Sequence, residues 1–154
     1  MEHKTEKKII KESFSHEGVT VLEALLTYPV IICEDKTTKK LNAFYEGISK
    51  NAYDFVKNSL LSDSKSEYEK LEDEKKRFSF RPYRYTLDIS LLGQDDEGVS
   101  FSLSVSLFRR GKRVYQTRTL HIWDKKHACL RRDEKEKGKK SKKYRQFIDR
   151  KDGL

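Results

Sequence analysis

The sequence predicts an α+β domain: an antiparallel sheet, made of an N-terminal hairpin and a three-stranded meander, with one long amphipathic helix packed on one face. Three observations support this prediction. Apolar and polar residues alternate through three consecutive runs between Phe78 and Trp123, the period of two expected where one sheet face is buried. Apolar residues recur at helical spacing over residues 36–60. A pair of strand-like runs precedes them.

The N-terminal hairpin is predicted from two runs rich in β-branched residues, 7–14 and 19–27, on either side of a Ser-His-Glu-Gly turn. Residues 23–26 also suit a helix. The flanking Gly18 and Pro29 favour a strand instead. Because proline has no backbone N–H to donate to a sheet, we expect the residues around Pro29 to form an edge segment.

The long helix is predicted over residues 36–60, with Asp35 or Thr37 as its N-cap. One apolar stripe follows helical spacing: Leu41, Phe44, Tyr45, Ile48, Ala52, Phe55, Val56 and Leu60. Each large side chain that this stripe buries against the sheet contributes about 1.5–3 kcal/mol. We therefore expect it to pack against Leu87, Ile89, Leu103 and Val105 of the meander.

The polar stretch 62–77 leaves two interpretations open. Ser64 and Glu67 match a capping box, which predicts a short solvated helix. A mobile connection is the alternative.

The meander is predicted to turn at residues 93–98 and again at 109–112, where glycine provides positive φ. The odd positions of its first two strands are apolar, and serines at 100, 102, 104 and 106 form a second face that we expect to meet water. In the third run, Val114, Leu120 and Ile122 compete with Tyr115 and Trp123 for the core, so its register stays open.

Composition predicts one folded domain with a basic tail. Of the 154 residues, 35% are hydrophobic and 38% are charged, a balance that supports a modest core. Residues 1–124 hold 21 lysines and arginines against 20 acidic residues, whereas residues 125–154 hold 13 against 5. We therefore predict a single α+β domain over residues 1–124 and a basic tail, partly disordered or helical, over residues 125–154.

Cysteine usage and hydropathy predict a cytoplasmic protein. Cys33 and Cys129 are distant and form no C-x-x-C pair, which favours two free thiols in a reducing compartment. No apolar stretch approaches the roughly 18 residues that a membrane span requires. The first residues are charged and do not resemble a signal peptide.

No assembled reactive group is evident, so the sequence predicts a protein that is not an enzyme, with no catalytic residues, metal site or cofactor. His121, Asp124, His127 and Cys129 are the densest potential ligands, but their spacing matches no recognised zinc site. A cysteine nucleophile would need a histidine in contact and a third group to orient it. The acidic residues 95–97 occupy a turn, and the common phosphate, dinucleotide, zincin and hydrolase motifs are absent.

Clustered positive charge offers an alternative function, nucleic-acid binding through the second hairpin tip and the basic tail. Aromatic residues interleaved with arginines at 78–85 are a pattern seen in single-strand binders. The candidate anion contacts are Arg109, Arg110, Lys112, Arg113, Lys125, Lys126, Arg131, Arg132, Lys139, Lys140, Lys142 and Lys143.

Three stretches together resemble a known family: the sequence Tyr-Pro-Val-Ile at 28–31, the helix opening at 41–44, and a strand pair ending in Leu-His-Ile-Trp-Asp at 120–124. They are similar to the RsiV-type extracytoplasmic domain of unknown function, found in bacterial anti-sigma factors of the sigma-V kind and beside peptidoglycan deacetylase domains. The resemblance implies a bacterial α+β domain that binds a protein or cell-wall ligand and does not catalyse a reaction. This sequence has Arg-Arg-Gly-Lys at the last turn in place of the family's glycine-rich turn.

The primary functional prediction is thus an uncharacterised, non-enzymatic binding or accessory domain with a protein or ligand partner.

Overall fold

The computed structural model describes residues 4–33, 35–73, 77–124 and 129–136. Its elements, in chain order, are β1 (Thr5–His16), β2 (Val19–Ile31), α1 (Lys36–Phe55), a π-helical segment (Val56–Leu60), α2 (Leu61–Glu69), β3 (Tyr83–Gln94), β4 (Gly98–Arg109), β5 (Lys112–Asp124) and β6 (Cys129–Glu136). The strands form one six-stranded sheet in sequential order. The predicted α+β class, with a long helix on a largely antiparallel sheet, is confirmed.

The N-terminal hairpin and the meander join through a parallel pair of strands, β2 with β3. Parallel neighbours need a crossover connection, and here the long helix provides it. The pairing runs from Leu22 opposite Tyr83 to Thr27 opposite Asp88 and then stops, although both strands continue.

Pro29 and Asn42 explain why this parallel ladder ends. In the register of the pair, the N–H of residue 29 would donate to the carbonyl of Ile89, but proline has no N–H. Two residues later, the backbone N–H of Ile31 donates to Asn42 Oδ1 at 3.0 Å, and Asn42 Nδ2 donates to the Ile31 carbonyl at 2.9 Å. The amide of α1 thereby replaces a strand partner, and residues 28–31 pair with β1 alone.

The helix begins as predicted, with Asp35 as the N-cap: its Oδ1 accepts a hydrogen bond from the Thr38 N–H at 2.7 Å. The predicted apolar stripe is buried, apart from a half-buried Phe55. It shares one hydrophobic core with Leu87, Ile89, Leu103 and Val105.

The helix does not end at residue 60, and the capping box predicted at Ser64 is wrong. Ser64 is buried inside α2, and its hydroxyl donates to the Leu61 carbonyl at 2.9 Å. Val56, Leu60, Ser64 and Tyr68 are all buried at a spacing of four. On an ideal α-helix, residues four apart are rotated by about 40° around the helix axis. The wider π turn offsets this rotation, so the buried face of the helix continues to Tyr68.

The sheet register shows which residues of β5 enter the core. Tyr115, Thr117, Thr119, His121 and Trp123 are buried towards the helix, whereas Val114, Leu120 and Ile122 are half-buried on the other face. Hydropathy could not assign the buried face of β5 because the buried residues include two threonines and a histidine. Ring contacts and hydrogen bonds with the helix accommodate the histidine and the tryptophan.

The sheet extends past residue 124, where the sequence predicted the start of the tail. β6 pairs antiparallel with β5, from Asp124 opposite Cys129 to Arg118 opposite Glu136. It supplies hydrogen-bond partners to β5, and a charged sequence is well tolerated on an edge strand. Two of the predicted anion contacts, Arg131 and Arg132, fall within β6. Lys125, Lys126, Lys139, Lys140, Lys142 and Lys143 lie outside the described residues.

Within the described ranges, no helix is both long and apolar enough to cross a lipid bilayer. The cytoplasmic location stays a prediction.

Candidate binding surfaces

The helix covers one face of the sheet, and we call the opposite one the open face. Because residues paired across neighbouring strands share a face, the register assigns to it Lys11, Ser13, Leu25, Thr27, Thr86, Asp88, Ser90, Ser100, Ser102, Ser104, Ser106, Gln116, Arg118, Leu120 and Ile122. Its centre carries small hydroxyl side chains on β3 and β4. Among the described elements, none lies over it.

Asp88 is the acidic group at the centre of the open face. Its Oδ1 accepts a hydrogen bond from Thr27 Oγ1 at 2.7 Å and a weaker one from Ser90 Oγ at 3.4 Å. A cavity of about 230 Å³ opens nearby, and its lining includes Lys11, Glu23, Leu25, Arg84 and Thr86. Hydroxyl side chains thus share the middle of the face with Asp88, and Arg118 lies opposite Ser104 on the neighbouring strand.

A second surface, the cationic end, comprises Phe78, Arg81, Arg110, Lys112 and Arg113. The β4–β5 turn closes with positive φ at Arg110 and Gly111, 54° and 84°. Arg81 lies against Gly111, so closely that a Cβ there would be 2.6 Å from Arg81 Nη1. The Arg110 guanidinium lies 5.9 Å from the centre of the Phe80 ring. The structure therefore brings the predicted tip together with the aromatic and arginine segment that precedes β3.

Arg109, a predicted anion contact, is engaged within the protein. Its guanidinium pairs with Glu67 of α2 and donates from Nε to the Tyr83 hydroxyl at 3.1 Å. The hydrogen bond with Glu67 is the main reason that the Arg109 pKa is raised. Burial alone would raise the pKa of Glu67, but hydrogen bonds from Tyr83 and Arg109 outweigh it and leave that pKa below its usual value. The Arg109 side chain therefore links β4 to α2 and β3. Arg110, Lys112 and Arg113 are exposed.

The aromatic residues interleaved with arginine divide between core and surface. Phe80, Tyr83 and Tyr85 are buried, at 7%, 0% and 2% exposure, while Phe78 is 81% exposed. Only Phe78 of this set can therefore meet a ligand. Alternation within β3 accounts for Tyr83 and Tyr85, whereas Phe78 and Phe80 precede the strand, so the sequence could not separate those two.

The metal-ligand set predicted as the densest does not converge through its described side chains. His121 is buried towards the helix, where its Nδ1 lies 2.9 Å from the Tyr45 hydroxyl, which also accepts a hydrogen bond from Trp123 Nε1 at 2.8 Å. Asp124 is three residues further along the strand, so its side chain lies on the face of the sheet opposite to that of His121. His127 lies outside the described residues.

A different set of possible ligand atoms, missed by the sequence analysis, is His16, Glu17 and Glu69, all within 4.8 Å of one another. His16 is hydrogen-bonded to Glu69, and Arg77 Nη1 lies 3.5 Å from Glu17 Oε2. The positive charge of Arg77 disfavours a cation bound between His16, Glu17 and Glu69. The separation of 52 residues between Glu17 and Glu69 left no local signal in the sequence.

The other groups considered for chemistry have structural partners. Cys33 Sγ donates to Asp35 Oδ2 at 2.8 Å, next to the N-cap of α1. Asp95 Oδ1 accepts from the N–H groups of Glu97 and Gly98, both at 2.8 Å, which confirms that the acidic residues 95–97 build a turn.

Comparison with known proteins supports the fold. No family model and no curated protein matches the chain. A solved structure of a DUF3298 family member from Bacteroides fragilis is similar, with a TM-score of 0.58 and 14% sequence identity. The similarity covers 83% of this chain and 58% of that one, so this chain spans less than two thirds of the other structure. The chain therefore has the fold of a domain of unknown function.

Proposed function

We propose that this chain is a non-enzymatic binding domain and that the open face is its docking surface for a protein partner. The observation that carries the proposal is the sheet face that no described element covers, whose centre carries small hydroxyls around Asp88. The RsiV-type resemblance, which implies a protein or cell-wall ligand, favours the same role.

The size of the open face is adequate for a protein interface. The five strands β1 to β5, spaced about 4.8 Å apart, span roughly 19 Å, and twelve residues rising about 3.3 Å each extend roughly 40 Å. The product, about 760 Å², is close to the roughly 800 Å² that each partner buries in a standard interface.

The composition of the open face also suits docking. Ser102, Ser104 and Thr86 lie in the middle, where they add hydrogen-bonding groups without long flexible side chains to immobilise. Half-buried Leu120 and Ile122 add apolar area beside them.

We base the proposed absence of catalysis on the hydrogen-bond partners of the potentially reactive groups. Among the described residues, Cys33 is hydrogen-bonded to Asp35, His121 to Tyr45, and Asp95 to its own turn. These contacts support structural roles for all three groups.

Site-specific photocrosslinking tests the proposal, because it captures a partner whose identity is unknown. A benzophenone amino acid would replace Ser104 on the open face or, as the control, Ser62 on the exposed side of α2. We expect a discrete adduct from position 104, suppressed by Ser102→Arg, and none from position 62. Identical adduct patterns from the two positions, or no adduct from 104, would contradict the proposal.

A further inference from the structure

We propose that the cationic end binds single-stranded nucleic acid, with Arg81, Arg110, Lys112 and Arg113 contacting phosphates and Phe78 stacking on a base. This surface lies at one end of the sheet, and its proposed role does not depend on the function proposed for the open face. It also differs from the site that the sequence predicted, because Arg109 is excluded while Phe78 and Arg81 are included.

The four cations of this end are available to a ligand. Among the described residues, none of them has a carboxylate within salt-bridge distance. Three carboxylates at the same end of the molecule are engaged by other cations: Glu67 by Arg109, Glu69 by His16 and Glu17 by Arg77. Within the part of the chain that the structure describes, the positive charge of the four is therefore not neutralised by close ion pairs.

Phe78 is a large aromatic side chain that the fold leaves 81% exposed. The backbone around it is held in place, because the N–H of Phe80 donates to the Arg77 carbonyl at 3.2 Å and closes a turn across Phe78. Phe80 is itself buried against Tyr68, with a ring-centroid distance of 5.7 Å. Phe78 thus projects from an anchored turn, three residues before Arg81 and two before Phe80, whose ring lies 5.9 Å from the Arg110 guanidinium.

The combination of groups selects the kind of nucleic acid. Arginine and lysine contacts with phosphate suit single and double strands alike. In a duplex, however, the bases are stacked on one another and present no face to Phe78. A single strand offers both phosphates and unstacked bases, and base–aromatic stacking tolerates any sequence. We therefore expect binding without strong sequence preference.

The first test measures binding of the full chain to a fluorescent oligothymidylate of about twenty nucleotides by anisotropy. Phe78→Ala should weaken binding about fivefold or more, the loss expected for one stacked base. Phe78→Trp should retain affinity, and the strand should quench fluorescence from the introduced indole. Trp123 is buried at 2% exposure and is not expected to respond. Unchanged affinity in Phe78→Ala, or no quenching in Phe78→Trp, would overturn the proposal.

The second test separates the cationic end from general positive charge, which the basic C-terminal residues also carry. Lys112→Gln with Arg113→Gln removes two charges from the end, and Lys39→Gln with Lys57→Gln removes two from exposed positions on the long helix. The first pair should lower the slope of log affinity against log salt by about 1.4, since each single-strand phosphate contact contributes about 0.7. Equal losses from both pairs would overturn the proposal.

Anionic membranes are the competing ligand for a surface of this kind. The same variants would be tested with phosphatidylcholine vesicles that contain phosphatidylserine. If Phe78→Ala abolishes vesicle binding and leaves oligothymidylate binding intact, the surface belongs to a membrane and the proposal fails. If Phe78→Ala weakens oligothymidylate binding and leaves vesicle binding intact, the proposal is supported.

Discussion

Replacing Asn42 with alanine should destabilise the protein more than any other single change of a half-buried polar residue on α1. The Asn42 amide donates to the Ile31 carbonyl and accepts from the Ile31 N–H, at the point where β2 leaves β3. Ile31 is only 3% exposed, so water has little access to these backbone groups once the amide is gone.

The expected magnitude follows from the two hydrogen bonds. A buried backbone group left without a partner costs about 1–3 kcal/mol. Alanine recovers about 0.5 kcal/mol through its higher helix propensity. For the two groups together the net loss is about 1.5–5.5 kcal/mol, and because Asn42 is half-buried we place it near the lower end of that range, at about 2 kcal/mol. This is a large fraction of the roughly 5–15 kcal/mol that stabilises a domain.

Urea unfolding followed by fluorescence of Trp123, the single tryptophan, measures this loss. The matched control is Asn51→Ala on the same helix. Asn51 is also half-buried, and we expect a change within about 0.5 kcal/mol of zero. If the two variants unfold at the same urea concentration, the Asn42 amide does not substitute for a strand partner and the explanation for the end of the ladder is wrong.

Two further predictions concern one buried and one half-buried polar group, Tyr45 and Glu67. Tyr45→Phe removes the hydroxyl that accepts from Trp123 Nε1 and bonds His121 Nδ1, and should cost about 2–4 kcal/mol in the same unfolding assay; a loss below about 0.5 kcal/mol would contradict this network. The lowered pKa of Glu67 means that its ionised form stabilises the native state above the usual pKa of 4.5, and that this stabilisation disappears as the pH falls through the lower native value. Glu67→Gln should therefore be less stable than the wild type at pH 7, with the difference shrinking towards pH 3; a difference independent of pH would refute the role of its charge.

Much of the fold could be predicted because it is encoded in local patterns. The alternation in β3 and β4 reflects one buried face, and the helical stripe from Leu41 to Leu60 reflects another. Asp35 could be placed as a cap because capping depends only on the next three residues. β5 was harder, since His121 enters the core through a partner on a distant element, the Tyr45 hydroxyl of α1.

The candidate surfaces were only partly predictable for the same reason. Residues 109–113 stand out as a basic turn in the sequence, and the serines of β4 stand out as a polar face. Nothing in the sequence shows that Glu67, 42 residues before Arg109, would engage its guanidinium. The exposure of Phe78 and the burial of Phe80 likewise depend on how α2 packs against the start of β3.

Local sequence patterns were sufficient to predict the α+β class, the two turns of the meander and the amphipathic helix, because each of these arises from residues within a few positions of one another. The separation of β2 from β3, the continuation of the sheet by β6 and the engagement of Arg109 by Glu67 become visible only in the folded protein. These outcomes depend on contacts between groups far apart in the chain, which form only when backbone and side-chain hydrogen bonds are satisfied across the whole sheet and helix together.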